Sequence, residues 1–167
     1  MKTRMIEAVC PHCGHRFFLK RDTCVLAGTH PEIERGLQDE TWFVRRCSMC
    51  RQKFELVHPF YYRDARAKIN VILSEQEEIP GLPENERVVV TRSPAAFCLA
   101  WKIETGRLNP ALVLQVKKQL EARLGHPVRF EEYEREKRLL WFQDEDGPHA
   151  VPLSLQQAAE LQKRRQR

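Results

Sequence analysis

No apolar run in this chain of 167 residues approaches the roughly 20 residues that a membrane-spanning helix requires, so a soluble protein is expected. The opening residues, Met1 to Glu7, pass into the first cysteine without the apolar stretch of a signal peptide. The reducing cytoplasm is therefore the expected compartment. A phosphate-binding glycine-rich loop, a Gly-x-Ser-x-Gly turn and a His-Glu-x-x-His pair are all missing. Without them, the common nucleotide, acyl-transfer and metalloprotease chemistries have no sequence support. Carboxylates do cluster, at Glu131-Glu132-Tyr133-Glu134 and Asp144-Glu145-Asp146. Both runs fit solvated strand edges and turns better than acid/base pairs. The chain also lacks internal repeats, apart from one paired motif.

That motif is Cys10-Pro11-His12-Cys13 and Cys47-Ser48-Met49-Cys50. Each Cys-x-x-Cys turn presents two sulfurs to one ion, and two such turns supply a tetrahedral thiolate set for Zn²⁺. About 33 residues separate the pairs. Doubling a flexible loop costs only about 0.6 kcal/mol, against about 10 to 16 kcal/mol of apparent stabilisation from structural zinc. The expected site is thus one structural zinc per chain, held by Cys10, Cys13, Cys47 and Cys50. Redox-active dithiols and an iron or iron–sulfur centre would use the same residues. A low-pKa redox cysteine favours a helix N-terminus, whereas both pairs here lie between strand-like segments. A closed four-sulfur site leaves no position for an activated water. Cys24 and Cys98 stand at no metal spacing and read as small buried hydrophobes. His12 and His15 are assigned to solvent or to the surroundings of the sulfurs, and His58 to a structural role.

Residues 5 to 73 read as β-rich. A strand leaves the first cysteine turn at Cys13 to Lys20 and continues toward Val25-Leu26. A short helix follows at Pro31 to Leu37, with Pro31 and Glu32 suited to a first turn. Thr41–Arg46 and Lys53–Val57 form a hairpin around the second turn. Tyr61-Tyr62 and Ile69–Leu73 form another that lengthens the sheet. Between Ser74 and Glu86 the composition shifts to Glu, Pro, Gly and Asn, which suggests a linker. Beyond it come a strand at Val88–Val90, a helix from Ser93-Pro94 to Gly106 that buries Phe97 and Trp101, and a helix from Asn109-Pro110 to Gly125. Leu112, Val113, Val116, Leu120 and Leu124 recur along the second helix at helical spacing. Three short strands follow, with an Asp146-Gly147 turn. Ser154 and Gln157 then fit the capping box of a terminal helix.

The net charge is +5, with Arg45, Arg46 and Arg51 near the second turn and a basic tail at Lys163 to Arg167. A phosphate-binding surface needs such charge, and Phe17, Phe18, Trp42, Phe43, Tyr61 and Tyr62 are candidates for base stacking. A small sheet also needs aromatics for its own core. An unidentified protein partner is expected, with nucleic acid as a further option and no membrane association.

Several features together resemble the prokaryotic CpXC family, named for paired Cys-Pro-x-Cys motifs. They are Cys10-Pro11-His12-Cys13-Gly14-His15, the insert at Pro31-Glu32-Ile33, Cys47-Ser48-Met49-Cys50 with Phe54-Glu55-Leu56, and Pro59-Phe60-Tyr61-Tyr62-Arg63-Asp64 running into Ile69–Leu73. The likeness spans roughly residues 7 to 75. It implies a zinc-ribbon-like domain in a cytoplasmic protein and transfers no catalytic residue. The chain departs from the pattern at Ser48, where a second proline is expected, and at Arg51, where a glycine is. The combined expectation is an α+β protein. Residues 5–75 make a zinc-ribbon-like antiparallel β unit, and residues 86–167 an α+β region of two to three helices with a small antiparallel sheet. A noncatalytic zinc protein is expected, with a thiol-dependent redox protein or an unrecognised enzyme as the alternative.

Overall fold

A computed structural model describes residues 2–76 and 79–163. It divides into two compact units, Met1–Cys98 and Leu99–Arg167. The basic residues Arg164, Arg165 and Arg167 lie outside the described residues. Among the described residues, no helix is long and apolar enough to cross a membrane.

The first unit contains β1 (Lys2–Val9), β2 (Arg16–Leu26), α1 (Pro31–Gln38), β3 (Val44–Arg46), β4 (Lys53–Glu55), β5 (Phe60–Asp64), β6 (Ile69–Leu73), β7 (Arg87–Thr91) and the start of α2 (Pro94–Thr105). Five strands make one sheet in the order β1-β2-β5-β6-β7. The β1/β2 and β5/β6 pairs are antiparallel, while β2/β5 and β6/β7 are parallel. Every residue of β6 is buried, as a central strand's position requires. Phe43, Phe60 and Phe97 meet edge to face, with ring centroids 5.3 to 5.8 Å apart, and form the aromatic part of the core.

Two features add to or depart from the sequence expectation. The β5–β6 hairpin does lengthen the main sheet, where β5 pairs with β2 through Cys24–Leu26, the far end of the first cysteine hairpin, while β3 and β4 form a two-stranded sheet of their own. The Pro- and Gly-rich stretch suggested as a linker connects β6 to β7, which are hydrogen-bonded neighbours. The division between units falls later, within α2.

The second unit carries the rest of α2, α3 (Pro110–Leu124), β8 (Arg129–Glu134), β9 (Leu139–Gln143), β10 (Pro148–Pro152) and α4 (Leu155–Gln162). Its antiparallel sheet runs β10-β9-β8. The Asn109 side chain accepts from the Ala111 amide at the start of α3, and left-handed Gly125 (φ 82°) closes the helix. The Ser154–Gln157 capping box is present in both directions. Leu112, Val113, Val116 and Leu120 of α3 pack with Phe130, Leu140, Phe142 and Leu161 in one core. These helices form because their apolar spacing matches a sheet face of equal polarity.

Candidate metal centre

Each cysteine pair occupies the turn of a hairpin, and the two turns have the same backbone wiring. In the first, the Cys10 amide donates to the His15 carbonyl (2.9 Å) and the Gly14 amide to the Cys10 carbonyl (2.9 Å). In the second, the Cys47 amide donates to Gln52 (2.9 Å) and the Arg51 amide to Cys47 (3.0 Å). Gly14 and Arg51 both take the left-handed conformation, with φ of 70° and 62°. The loss of the second turn's glycine therefore leaves its geometry intact, with Arg51 held in a conformation that glycine adopts at less cost.

The two turns bring four sulfurs together from opposite hairpins. Cys10 and Cys50 lie 3.6 Å apart, Cys13 and Cys47 lie 3.7 Å apart, and all four sulfurs are within 4.8 Å of one another. A tetrahedron of 2.3 Å metal–sulfur bonds has edges of about 3.8 Å, so the cluster can coordinate a metal ion with little rearrangement. Cys10 and Cys47 are buried, Cys50 is half-buried and Cys13 is exposed. Ala8, Phe54 and Leu56 pack with the buried pair, and Phe17 and Leu19 with that group. The sulfurs thus sit at the edge of a small apolar core with one side near solvent.

The backbone prepares the sulfurs unequally. The amide hydrogens of Cys50 and Met49 stabilise the Cys47 thiolate against the effect of burial, with help from Cys13 and Cys10, and bring its pKa down to about 6. At Cys50 the Gln52 amide acts in the same sense. Burial and hydrogen bonds to the other three sulfurs outweigh it and push this thiol up to about 12.

The remaining candidates fall into place around this centre. His12 is exposed and its Nε2 lies 3.2 Å from the Lys53 carbonyl, which links the two cysteine hairpins. His15 stacks on Phe17 with centroids 5.7 Å apart. His58 is buried, Nδ1 toward the Leu56 carbonyl at 3.3 Å, and packs against Phe43 and Phe60. Burial holds its pKa below the ordinary histidine value, and the Arg45 charge adds to this, while the Leu56 and Asp22 backbones oppose it. Cys98 is buried as expected, whereas Cys24 is only half-buried.

Of the six aromatics proposed for base stacking, Phe43 and Tyr62 are buried, Phe17, Trp42 and Tyr61 are half-buried, and Phe18 is exposed. The guanidinium of Arg21 lies 4.0 Å from the Trp42 ring centre and that of Arg45 5.7 Å. Both also donate to the Trp42 carbonyl, so this part of the positive charge is engaged within the fold. A feature not anticipated from the sequence is the outward face of the β1–β2 hairpin. There Met5, Val9 and Phe18 are exposed beside Lys20, Arg16 and Glu7, their cross-strand neighbours. Two apolar residues on one strand face would have marked it, but β1 carries apolar residues on both faces.

With this geometry established, the comparisons with known proteins identify the chain as a member of the CpXC protein family, whose model matches residues 8–109. The match covers more than half of the chain and extends beyond the stretch that carries the cysteine motifs. No curated protein and no solved structure matches it.

Proposed function

We propose that this chain is a noncatalytic zinc-binding protein whose four-cysteine site fastens two hairpins into an interaction module of the cytoplasm. The observation that carries the reading is the convergence of Cys10, Cys13, Cys47 and Cys50 from two turns of like geometry, at separations suited to one tetrahedral ion. Four thiolates favour zinc over harder ions. They also fill its coordination shell, so the ion would supply cross-linking and no activated water. The role of the protein is to hold the sulfurs, direct amides at Cys47 and shield Cys10 and Cys47 from solvent.

A protein partner is the reading we favour over nucleic acid. Its support is the Met5, Val9 and Phe18 face, which is apolar and flanked by Arg16 and Lys20, while most of the aromatics proposed for stacking are committed to the fold. The test of the metal reading is elemental mass spectrometry with a parallel thiol titration, on protein purified without chelators or nickel resin. One zinc per chain with four protected thiols is expected. Protein without metal but with intact disulfides, or with bound iron, would overturn it. Alkylation kinetics address the enzyme alternative: a hyper-reactive thiol in metal-loaded protein would favour redox chemistry over a structural site.

A further inference from the structure

A second set of ligand atoms converges in the other unit, well separated in sequence from the cysteines. A ring nitrogen of His126 and carboxylate oxygens of Asp144 and Asp146 all lie within 4.8 Å of one another. His126 follows the cap of α3 and precedes β8, while Asp144 and Asp146 form the β9–β10 turn. Because Arg129 and Pro148 both pair with Gln143, these two turns share one end of the sheet.

Asp144 is the centre of the group. Its side chain is only 4% exposed, and its ion-pair partners are the imidazoles of His149 and His126, at 2.6 and 3.7 Å from Oδ2. Oδ1 meanwhile accepts from the Asp146 and Gly147 amides at 2.8 and 3.0 Å. One oxygen thus folds the turn and the other faces the histidines. Folding the turn accounts for Oδ1 and for Asp146, two residues on, but it does not account for His126, which a separate turn brings to the same place. The three donors come from two separate turns, one before β8 and one between β9 and β10, so the sheet builds their convergence and a local acidic run does not.

We propose that His126, Asp144 and Asp146 form a second cation site, for a divalent transition ion such as Zn²⁺ or Mn²⁺, with His149 orienting the Asp144 carboxylate. One imidazole and two carboxylates make a nitrogen–oxygen set suited to these ions. It differs in kind from the four sulfurs of the first unit. Exposed Asp146 gives the ion access from solvent, and three protein ligands leave the remaining positions to water. A histidine bonded to a liganding carboxylate is a common outer support of such sites.

The test is a titration of the full chain with Mn²⁺, following free Mn²⁺ by electron paramagnetic resonance. Mn²⁺ is a poor ion for a thiolate cluster, so the count reads the proposed site. One Mn²⁺ per chain is expected, displaced by Zn²⁺, with selective broadening of the His126 ring resonances. His126→Gln and Asp146→Asn should each weaken binding by at least roughly tenfold, and His149→Gln by about 10- to 100-fold. The first two leave the Asp144 bonds to the turn amides in place, so the fold of the unit survives them. Absence of saturable Mn²⁺ binding, or equal affinity in wild type, His126→Gln and Asp146→Asn, would overturn the proposal.

Discussion

Arg51 occupies the backbone place that Gly14 occupies in the other cysteine turn, with φ of 62° against 70° and the same amide-to-cysteine bond. A residue with a Cβ costs about 1 to 2 kcal/mol in that conformation, while glycine loses about 0.5 to 1 kcal/mol more chain entropy on folding. The first effect is the larger. Arg51→Gly should therefore stabilise the protein by about 0.5 to 1 kcal/mol. Gly14→Ala should destabilise it by a similar amount, although a Cβ there meets no atom within 4 Å. Urea unfolding of the two variants reads both signs, and a destabilised Arg51→Gly would show that the arginine side chain contributes more than its backbone strain costs.

Removal of the proposed metal should act unevenly. The β3–β4 sheet has two strands of three residues, too small to persist without support. A chelator, or Cys13→Ser, should abolish amide-exchange protection in β3, β4 and both cysteine turns and leave β8, β9 and β10 protected. Hydrogen exchange with and without chelator reads this directly. Unchanged protection and full metal content in Cys13→Ser would contradict the structural site.

Acid should weaken the fold through His58. Its folded pKa lies below the ordinary value because of burial, so at mildly acidic pH the unfolded chain binds a proton that the folded chain refuses. Stability from this group is complete above about pH 6.5 and is lost as pH falls below it. His58→Phe retains the ring packing on Phe43 and Phe60 and removes the titration. Denaturant midpoints measured between pH 7 and 5 should fall less steeply in the variant than in wild type; parallel slopes would contradict the assignment.

The two sides of the cysteine hairpins should respond differently to truncation. Phe18 is 68% exposed and Phe54 only 8%. Phe18→Ser should change stability by less than about 0.5 kcal/mol, while Phe54→Ala, beside the sulfurs, should cost about 3 to 5 kcal/mol. Thermal unfolding distinguishes them. A large loss in Phe18→Ser would mean that this face is packed against the protein itself and is not available to a partner.

The helices and the small C-terminal sheet were legible because their signals are local. Asn109-Pro110 and Gly125 bracket α3, and the Ser154 capping box starts α4, each through bonds within a few residues. The four cysteines were legible for a chemical reason, since few other roles put two Cys-x-x-Cys turns in one chain. Strand order was not. Whether Tyr61 pairs beside Cys24 or beside Phe54 depends on contacts far apart in sequence, and both choices satisfy the alternation of β5. The Pro80-Gly81 stretch misled for a related reason, because a turn-rich connection has the same composition whether it joins two domains or two neighbouring strands. The convergence of His126 with Asp144 was likewise out of reach, as it follows from the register of β8 on β9.

The parallel pairing of β2 with β5 has a kinetic consequence. The chain between them holds α1, β3, the second cysteine turn and β4, so this whole segment is a crossover that must be laid down before Cys24 can sit opposite Tyr61. Non-local parallel pairing is slow because loop closure precedes its reward. An ion captured first by Cys10 and Cys13, which leave the ribosome before Cys47 and Cys50, and then by the second pair would shorten that search by tying a point inside the crossover to the hairpin that contains β2. The rate at which the nascent chain acquires metal would then govern how quickly its central sheet closes.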